Sequence, residues 1–116
     1  MAVVPWTKMA EDGRNWKLIQ WTGLNGSDTG QPFVVVEYND KTVQLTGTLT
    51  TGITIEGAMD PDSPTYHTLN DPQGNALSAI TTAKIENVLE HVYALRPNCG
   101  ASVSGATVYL LLASVR

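Results

Sequence analysis

The sequence predicts an all-β protein, an antiparallel β-sandwich or jelly roll with one short helix. Residues 42–57 alternate between apolar and polar side chains, which is the pattern of half-buried strands. Short apolar runs elsewhere are separated by turn-forming Gly, Pro, Asn and Asp. Charged residues make up 16% of the chain, against roughly 25% in an average globular protein. Together these observations favour a sheet protein with a polar but nearly uncharged surface.

The clearest element is a β-hairpin predicted over residues 42–57. Aliphatic residues alternate with threonine and glutamine up to Leu49, and Ile53 and Ile55 continue the alternation after a turn at Gly52. Because successive side chains of a strand point to opposite faces, the aliphatic set shares one face. The threonine-rich face is predicted to meet water, since threonine suits the pleat and keeps a hydroxyl for hydrogen bonding.

The remaining elements follow in chain order. Further strands are predicted over residues 16–22, 33–38, 65–69, 92–96 (ended by Pro97) and 107–115, with the short helix over residues 81–91. The helix is predicted because Thr81 or Thr82 can cap it. In addition, aliphatic residues recur at spacings of three and four from Ile85 to Val92.

The length of 116 residues predicts one folding unit. Residues 1–15 are predicted to form an extended N-terminal arm, because Pro5 disfavours helix at the residue before it and Asp12 begins a turn. Residues 16–116 are predicted to form a single β-sandwich domain. Within it, the run from Asp71 to Gly74 predicts a type I turn.

Charge and hydropathy exclude two classes of partner. The net charge of −4 and the scattered basic residues argue against nucleic acid, which is bound through clustered Lys and Arg. No apolar run approaches the roughly 18 residues of a membrane span, and residues 1–17 lack the apolar region of a secretory signal. Cys99, as the single cysteine, cannot form an intrachain disulfide and is predicted to be a buried core residue.

No residue pattern predicts catalysis, a metal site or a cofactor. Asp60 and Asp62 lie close together, but a calcium loop needs about six to eight oxygen ligands and no EF-hand pattern follows. His67 and His91 are far apart in sequence, and no nucleophile, P-loop or dinucleotide-binding signature is present. We therefore expect no catalytic residue, no metal, no cofactor and no enzymatic activity.

The predicted arm carries an apolar segment that ends in a tryptophan. Core packing explains Trp16 or Trp21, whereas Trp6 has nothing to pack on locally. The segment therefore either folds back over its own sandwich or docks on another chain. Trp6 and Tyr66 are also candidates for stacking on a sugar ring. The candidate partner-binding residues of the arm are Val3, Val4, Pro5 and Trp6.

The last predicted strand is apolar on both faces. Three aliphatic residues from Val108 to Leu112 share one face, whereas a sandwich strand normally buries only one. The second face needs cover from the predicted helix or from a neighbouring subunit. We prefer self-association as a homo-oligomer, a dimer or a trimer, since residues 33–38 show the same two-sided pattern. The second face adds three candidate partner-binding residues, Tyr109, Leu111 and Ala113.

From Thr42 onward the chain resembles a family of small tailed-bacteriophage structural proteins. The resemblance is carried in order by VQLTGTL, TIEGAMD, TLNDPQGNALS, YALRPNCG and TVYLLLAS, of which DPQGNALS followed by RP is the most specific part. The segment MDPDSPTYHTL departs from the family, whose members more often have a short Asn-Asp-Gly turn and a tryptophan there. Residues 1–41 match less clearly.

The resemblance implies a capsid decoration (cement) protein built as a β-sandwich. Such a protein binds the major capsid protein of the assembled lattice and stabilises the head. It implies location at the capsid surface of the virion after synthesis in the host cytoplasm. Two alternatives remain open, a tail or baseplate component and a glycan-binding module on the virion surface.

Overall fold

Two packed β-sheets make up the computed structural model, which describes residues 2–13 and 15–114. Within these residues the strands are β1 (Val3–Val4), β2 (Thr7–Asp12), β3 (Trp16–Leu24), β4 (Thr29–Gly30), β5 (Phe33–Val34), β6 (Asp40–Thr48), β7 (Ile53–Ala58), β8 (His67–Thr68), β9 (Lys84–Asn87), β10 (Ala94–Cys99) and β11 (Ser104–Ala113). The predicted all-β sandwich is confirmed.

The five-stranded sheet has the order β2-β3-β11-β6-β9, with every neighbouring pair antiparallel. The last strand along the chain, β11, is therefore the central strand. Leu110 of β11 lies opposite Ile19 of β3 and Val43 of β6, and all three are fully buried. The alternation within each strand thus aligns into a continuous apolar inner face.

The six-stranded sheet has the order β1-β4-β10-β7-β8, and β5 also pairs with β10. Strand β10 continues through Pro97, so the predicted end of the strand there is wrong. The Cys99 N–H donates to the Asp28 carbonyl at 2.8 Å on the β4 side. The nitrogen of Pro97, two residues earlier, points to the same side of β10. On that side Asn98 pairs with β4 and Leu95 pairs with β5, and Pro97 lies between them. The missing N–H of proline costs no ladder bond at that point.

The core lies between the two sheets. It includes fully buried residues of the five-stranded sheet, the facing residues of the six-stranded sheet, and Cys99, whose predicted burial is confirmed. Its largest fully buried apolar members are Trp21, Ile19, Leu24, Leu45, Ile53, Ile55, Leu77, Leu95, Leu110 and Leu112. The indole N–H of Trp21 donates to the Gln31 carbonyl at 2.9 Å, so the polar end of this buried ring is satisfied.

The predicted β-hairpin over residues 42–57 is wrong, although its alternation is correct. Strand β6 belongs to the five-stranded sheet and β7 to the six-stranded sheet, so the two do not pair with each other. Residues 49–52 carry the chain across the core. Gly52 has φ +88° and lies against the backbone of Ala79, where a side chain has no space. Alternation predicts which face of a strand is buried, but it does not specify the partner strand.

The predicted helix over residues 81–91 is also wrong, and residues 2–13 and 15–114 contain no helix. Strand β9 occupies part of this segment, where Ile85 lies opposite Gln44 of β6. Val88 is buried whereas Ile85 and Leu89 are exposed, so the aliphatic residues do not share one side. The open edge of β6 supplies backbone partners, and a short helix without tertiary support is marginal.

The predicted N-terminal arm is part of the sandwich rather than a segment apart from it. It contributes β1 to one sheet and β2 to the other. The Gln31 N–H donates to the Val4 carbonyl at 2.7 Å, which holds β1 beside β4. Between the strands, the Trp6 ring meets Phe33 edge-on with centroids 4.8 Å apart. These residues tie the two sheets together at one end of the chain.

Candidate functional site

The outer face of the five-stranded sheet, called here the β11 face, is the main candidate surface. Its members follow from the register of the strands and from their alternating burial. They are Thr7, Ala10 and Asp12 of β2; Trp16, Leu18, Gln20 and Thr22 of β3; Thr107, Tyr109, Leu111 and Ala113 of β11; Asp40, Thr42, Gln44 and Thr46 of β6; and Ile85 and Asn87 of β9.

The centre of the β11 face is apolar and open to solvent. Leu111 lies between Leu18 of β3 and Thr42 of β6, and 43% of its surface is exposed. Tyr109 lies in the next row between two glutamines. No helix in the described part of the chain covers this face. Cover by a helix, one of the two possibilities that the sequence left open, is therefore excluded for these residues.

The β11 face is almost uncharged. Among its members, the charged residues are Asp12 and Asp40, which both lie at the same end of the sheet. Threonines occupy the opposite end, where the hydroxyls of Thr22 and Thr107 are 3.1 Å apart. Three of the predicted partner-binding residues, Tyr109, Leu111 and Ala113, belong to this face.

The other predicted partner-binding residues lie elsewhere, on the six-stranded sheet and its approach. Val3 is 65% exposed on β1, which is the edge strand of that sheet. Pro5 is exposed and Val4 is half-buried, whereas Trp6 packs against Phe33 and the core. The structure therefore places the seven predicted residues on two different sheets rather than in one patch.

The outer face of the six-stranded sheet, called here the β10 face, carries a charged network that the sequence did not reveal. The Arg96 Nε donates to Glu56 Oε1 at 3.0 Å, and the Asn98 Nδ2 donates to Glu56 Oε2 at 3.0 Å. The Arg96 guanidinium also lies 3.7 Å from the centroid of the Tyr66 ring. Alternation within β10 puts Arg96 and Asn98 on one face, but the register that brings Glu56 beside them is not readable from the sequence.

A depression of about 430 Å³ adjoins this network. It is lined by Ala2, Val3, Ser27, Thr29, Arg96 and Asn98. The depression thus joins the exposed edge at Val3 to the polar groups of the β10 face. Tyr66, which the sequence offered as a sugar-stacking ring, already has one contact, the Arg96 guanidinium.

A second groove, of about 440 Å³, lies beside β7 and β8 and includes His67 and Glu90 in its lining. Burial acts to raise the pKa of the Glu90 carboxyl. Two hydrogen bonds from Asn70, at 2.8 and 2.6 Å, act in the opposite direction and, together with the Glu90 backbone N–H and the charge of Lys41, leave the pKa below its ordinary value. Glu90 is therefore held as a structural carboxylate by Asn70.

Lys41 is the unusual residue of the inner face of the five-stranded sheet. It is 2% exposed, and its Nζ has no hydrogen-bond partner. Burial lowers the pKa of the Lys41 ammonium, and the negative charges of Asp40 and Glu90 oppose that effect only in part.

In the described residues, no group of three or more His, Cys, Asp or Glu side chains is placed to hold a metal ion.

The fold and the surface together define a class: a two-sheet β-sandwich that exposes one large, nearly uncharged sheet face. No helix in the described residues is long and apolar enough to span a bilayer. No protein-family model matches the chain, and no curated protein sequence is significantly similar to it.

Among solved structures, the chain is similar to the SPBc2 prophage-derived protein YomS. The TM-score is 0.62 at 17% identity, over 85% of this chain and 95% of that one. It is also similar to KdgF from a Halomonas species, with a TM-score of 0.49 at 6% identity over 95% and 80% of the two chains. An RmlC-like cupin protein from Desulfovibrio desulfuricans gives 0.47 at 8% identity over 96% and 82%. The first of these likenesses shows a shared fold.

Proposed function

We propose that this chain is a non-enzymatic structural protein of a bacteriophage virion, a capsid decoration (cement) protein. It binds the assembled major capsid protein at the capsid surface and stabilises the head. The observation that carries the proposal is the exposed edge of β1 at Val3, because an unpaired strand edge can accept a strand from another protein. A protein that binds only the assembled shell stabilises it by mass action.

Two further observations support a phage origin. The motifs from VQLTGTL to TVYLLLAS resemble those of small tailed-phage structural proteins. The chain also shares its fold with YomS, which is described as prophage-derived. Both observations favour a virion component over an unrelated sandwich protein.

We assign the capsid contact to the exposed edge at Val3, Val4 and Pro5. Strand β1 pairs with β4 on one side only, and an open strand edge can accept a strand from a partner. Trp6 is engaged with Phe33, so its role is to hold β1 against the sandwich rather than to dock on the shell.

The test is co-sedimentation of the purified protein with capsids that lack it. We expect the wild type to pellet with the capsids. Val3→Asp should lower the bound fraction at least tenfold, because it puts a charge in the contact, whereas Val36→Asp, at an exposed turn valine, should pellet normally. Failure of the wild type to bind capsids would overturn the function. Equal binding by the two variants would overturn the assignment to the Val3 edge.

The same experiment with purified tails tests the tail or baseplate alternative. Binding to tails and not to heads would replace the capsid proposal with that alternative.

A glycan-binding module is a second candidate, favoured by the β10 face. Tyr66, Arg96, Glu56 and Asn98 place an aromatic ring beside charged and amide groups, next to a depression of about 430 Å³. Binding on a glycan array that Tyr66→Ala removes would support this candidate. Absence of glycan binding by the wild type would exclude it.

A further inference from the structure

We propose that the β11 face packs against the β11 face of a second copy of this chain, which gives a two-fold dimer in solution. The two-fold axis lies in the interface and runs across the strands. The dimer needs no capsid, so this inference stands or falls separately from the proposed function.

The composition of the β11 face fits a copy of itself better than a charged partner. Its centre is Leu18, Leu111 and Tyr109, which have apolar surface to bury. Half of the residues around the centre are threonine or glutamine, whose hydroxyl and amide groups both donate and accept hydrogen bonds. A face of this kind can meet its own image through apolar packing and hydrogen bonds, while its two carboxylates, Asp12 and Asp40, stay at one end.

The size of the β11 face is close to what a dimer requires. Taking a rise of ~3.3 Å per residue and a strand spacing of ~4.8 Å, the five strands cover about 600 Å² in flat projection. Side chains roughen that plane, so the accessible area is larger than its projection. A standard stable interface buries roughly 800 Å² per partner. The projected area is about three-quarters of that figure, so the dimer has to bury nearly the whole face.

The distribution of charge selects the direction of the axis. An axis along the strands would bring the Asp12 and Asp40 ends of both copies together, which places four carboxylates at one end. With an axis across the strands, the strands of the two copies run in opposite directions. The end with Asp12 and Asp40 in one copy then lies over the threonine end of the other copy. In this arrangement β6 of one copy lies over β6 of the other, and Asp40 faces Thr46 of the second copy.

Buried apolar side chains at the centre should dominate the affinity, because binding energy concentrates in a few well-packed residues near the middle of an interface. Leu111 occupies that middle, since β11 is the central strand and Leu111 is flanked by Leu18 and Thr42. A charge introduced there would be buried without a partner in the dimer, yet it would be solvated in the monomer.

The first test measures association by sedimentation equilibrium across micromolar concentrations. We expect a wild-type dimer, and a Leu111→Asp protein whose dissociation constant is raised at least 100-fold. Val34→Asp is the matched control: Val34 is 46% exposed on the other sheet, against 43% for Leu111, and its variant should dimerise normally. A wild type that is monomeric at several hundred micromolar, or equal loss of dimer in both variants, would overturn the proposal.

A second test uses charge pairs that do not disturb the apolar centre, and it also fixes the axis. Thr46→Asp should weaken the dimer about tenfold, because the new carboxylate faces Asp40 of the second copy. Adding Asp40→Lys should restore the wild-type affinity. Asp40 and Thr46 lie about 20 Å apart along one strand, so they do not couple within a copy. A double variant no tighter than Thr46→Asp alone would overturn the axis across the strands.

Discussion

The two outer faces of the sandwich differ in the kind of side chain that they expose and in how those side chains are paired. On the β10 face, Arg96, Glu56 and Asn98 pair with one another, so the charges are satisfied within the chain. On the β11 face, Leu111 and Tyr109 are partly exposed and have no charged neighbours to keep them hydrated. The core is complete in both sheets, whereas the partner that we propose for the β11 face lies outside the chain.

Substituting one residue on each face gives the largest expected contrast. Arg96→Ala should lower the free energy of unfolding by about 2 kcal/mol, because it leaves the Glu56 carboxylate with Asn98 alone and removes the contact with Tyr66. It should leave self-association unchanged. Leu111→Thr should change the free energy of unfolding of the dilute monomer by no more than about 0.5 kcal/mol and weaken association about tenfold. Urea unfolding measures the change in stability, and sedimentation measures the change in association. Weakened association in Arg96→Ala, or a large loss of stability in Leu111→Thr, would contradict the prediction.

The two faces of the five-stranded sheet also differ. The inner face buries the ammonium group of Lys41, whereas the outer face exposes Leu111. Lys41→Met should raise the free energy of unfolding by about 1–3 kcal/mol at neutral pH, since it removes a buried Nζ that has no hydrogen-bond partner.

The gain from Lys41→Met should depend on pH in a defined direction. Burial holds the folded-state pKa of Lys41 below its ordinary value of 10.5, so the unfolded chain binds the proton more readily than the folded one. Wild-type stability attributable to this group therefore rises with pH between the two values. The advantage of the variant should shrink as pH rises towards 10.5. An advantage independent of pH, measured by urea unfolding at several values, would contradict a charged Lys41 as the cause.

The smallest effect concerns Glu90, at the groove beside the six-stranded sheet. Its lowered pKa means that its contribution to stability is present above the ordinary value of 4.5 and is lost as pH falls through the folded-state value. Glu90→Gln should therefore flatten the dependence of unfolding free energy on pH below 4.5. Asn70→Ala, which removes the amide donor to Glu90 Oε2, should flatten it less, because the backbone N–H of residue 70 still donates.

Local features of the fold were predictable because they depend on neighbouring residues. The turn from Asp71 to Gly74 has the expected hydrogen bond at 3.0 Å, and the Asp71 side chain accepts the Gln73 N–H at 3.0 Å. The alternation of β6 and β11 also predicted the buried faces correctly. Pairing was not predictable, because it is decided by residues distant in sequence. The aliphatic spacing of residues 81–91 is compatible with a helix. In the structure, however, part of this segment forms β9, which hydrogen-bonds to the edge of β6.

The candidate site divides in the same way. The outward position of Tyr109, Leu111 and Ala113 follows from a period of two within one strand, so the sequence could predict it. The docking of Trp6 on Phe33 and the meeting of Arg96 with Glu56 depend on contacts between distant segments. No pattern in the sequence carries that information.

The position of β11 has a consequence for synthesis. Strand β11, which joins β3 to β6, is the last of the described strands to leave the ribosome, so β3 and β6 cannot be joined through it before then. During that interval one edge of β3 and one edge of β6 lack a partner, and their aliphatic side chains are exposed to water, a state prone to aggregation. We therefore expect the partly synthesised chain to need protection from aggregation until Ala113 has left the ribosome.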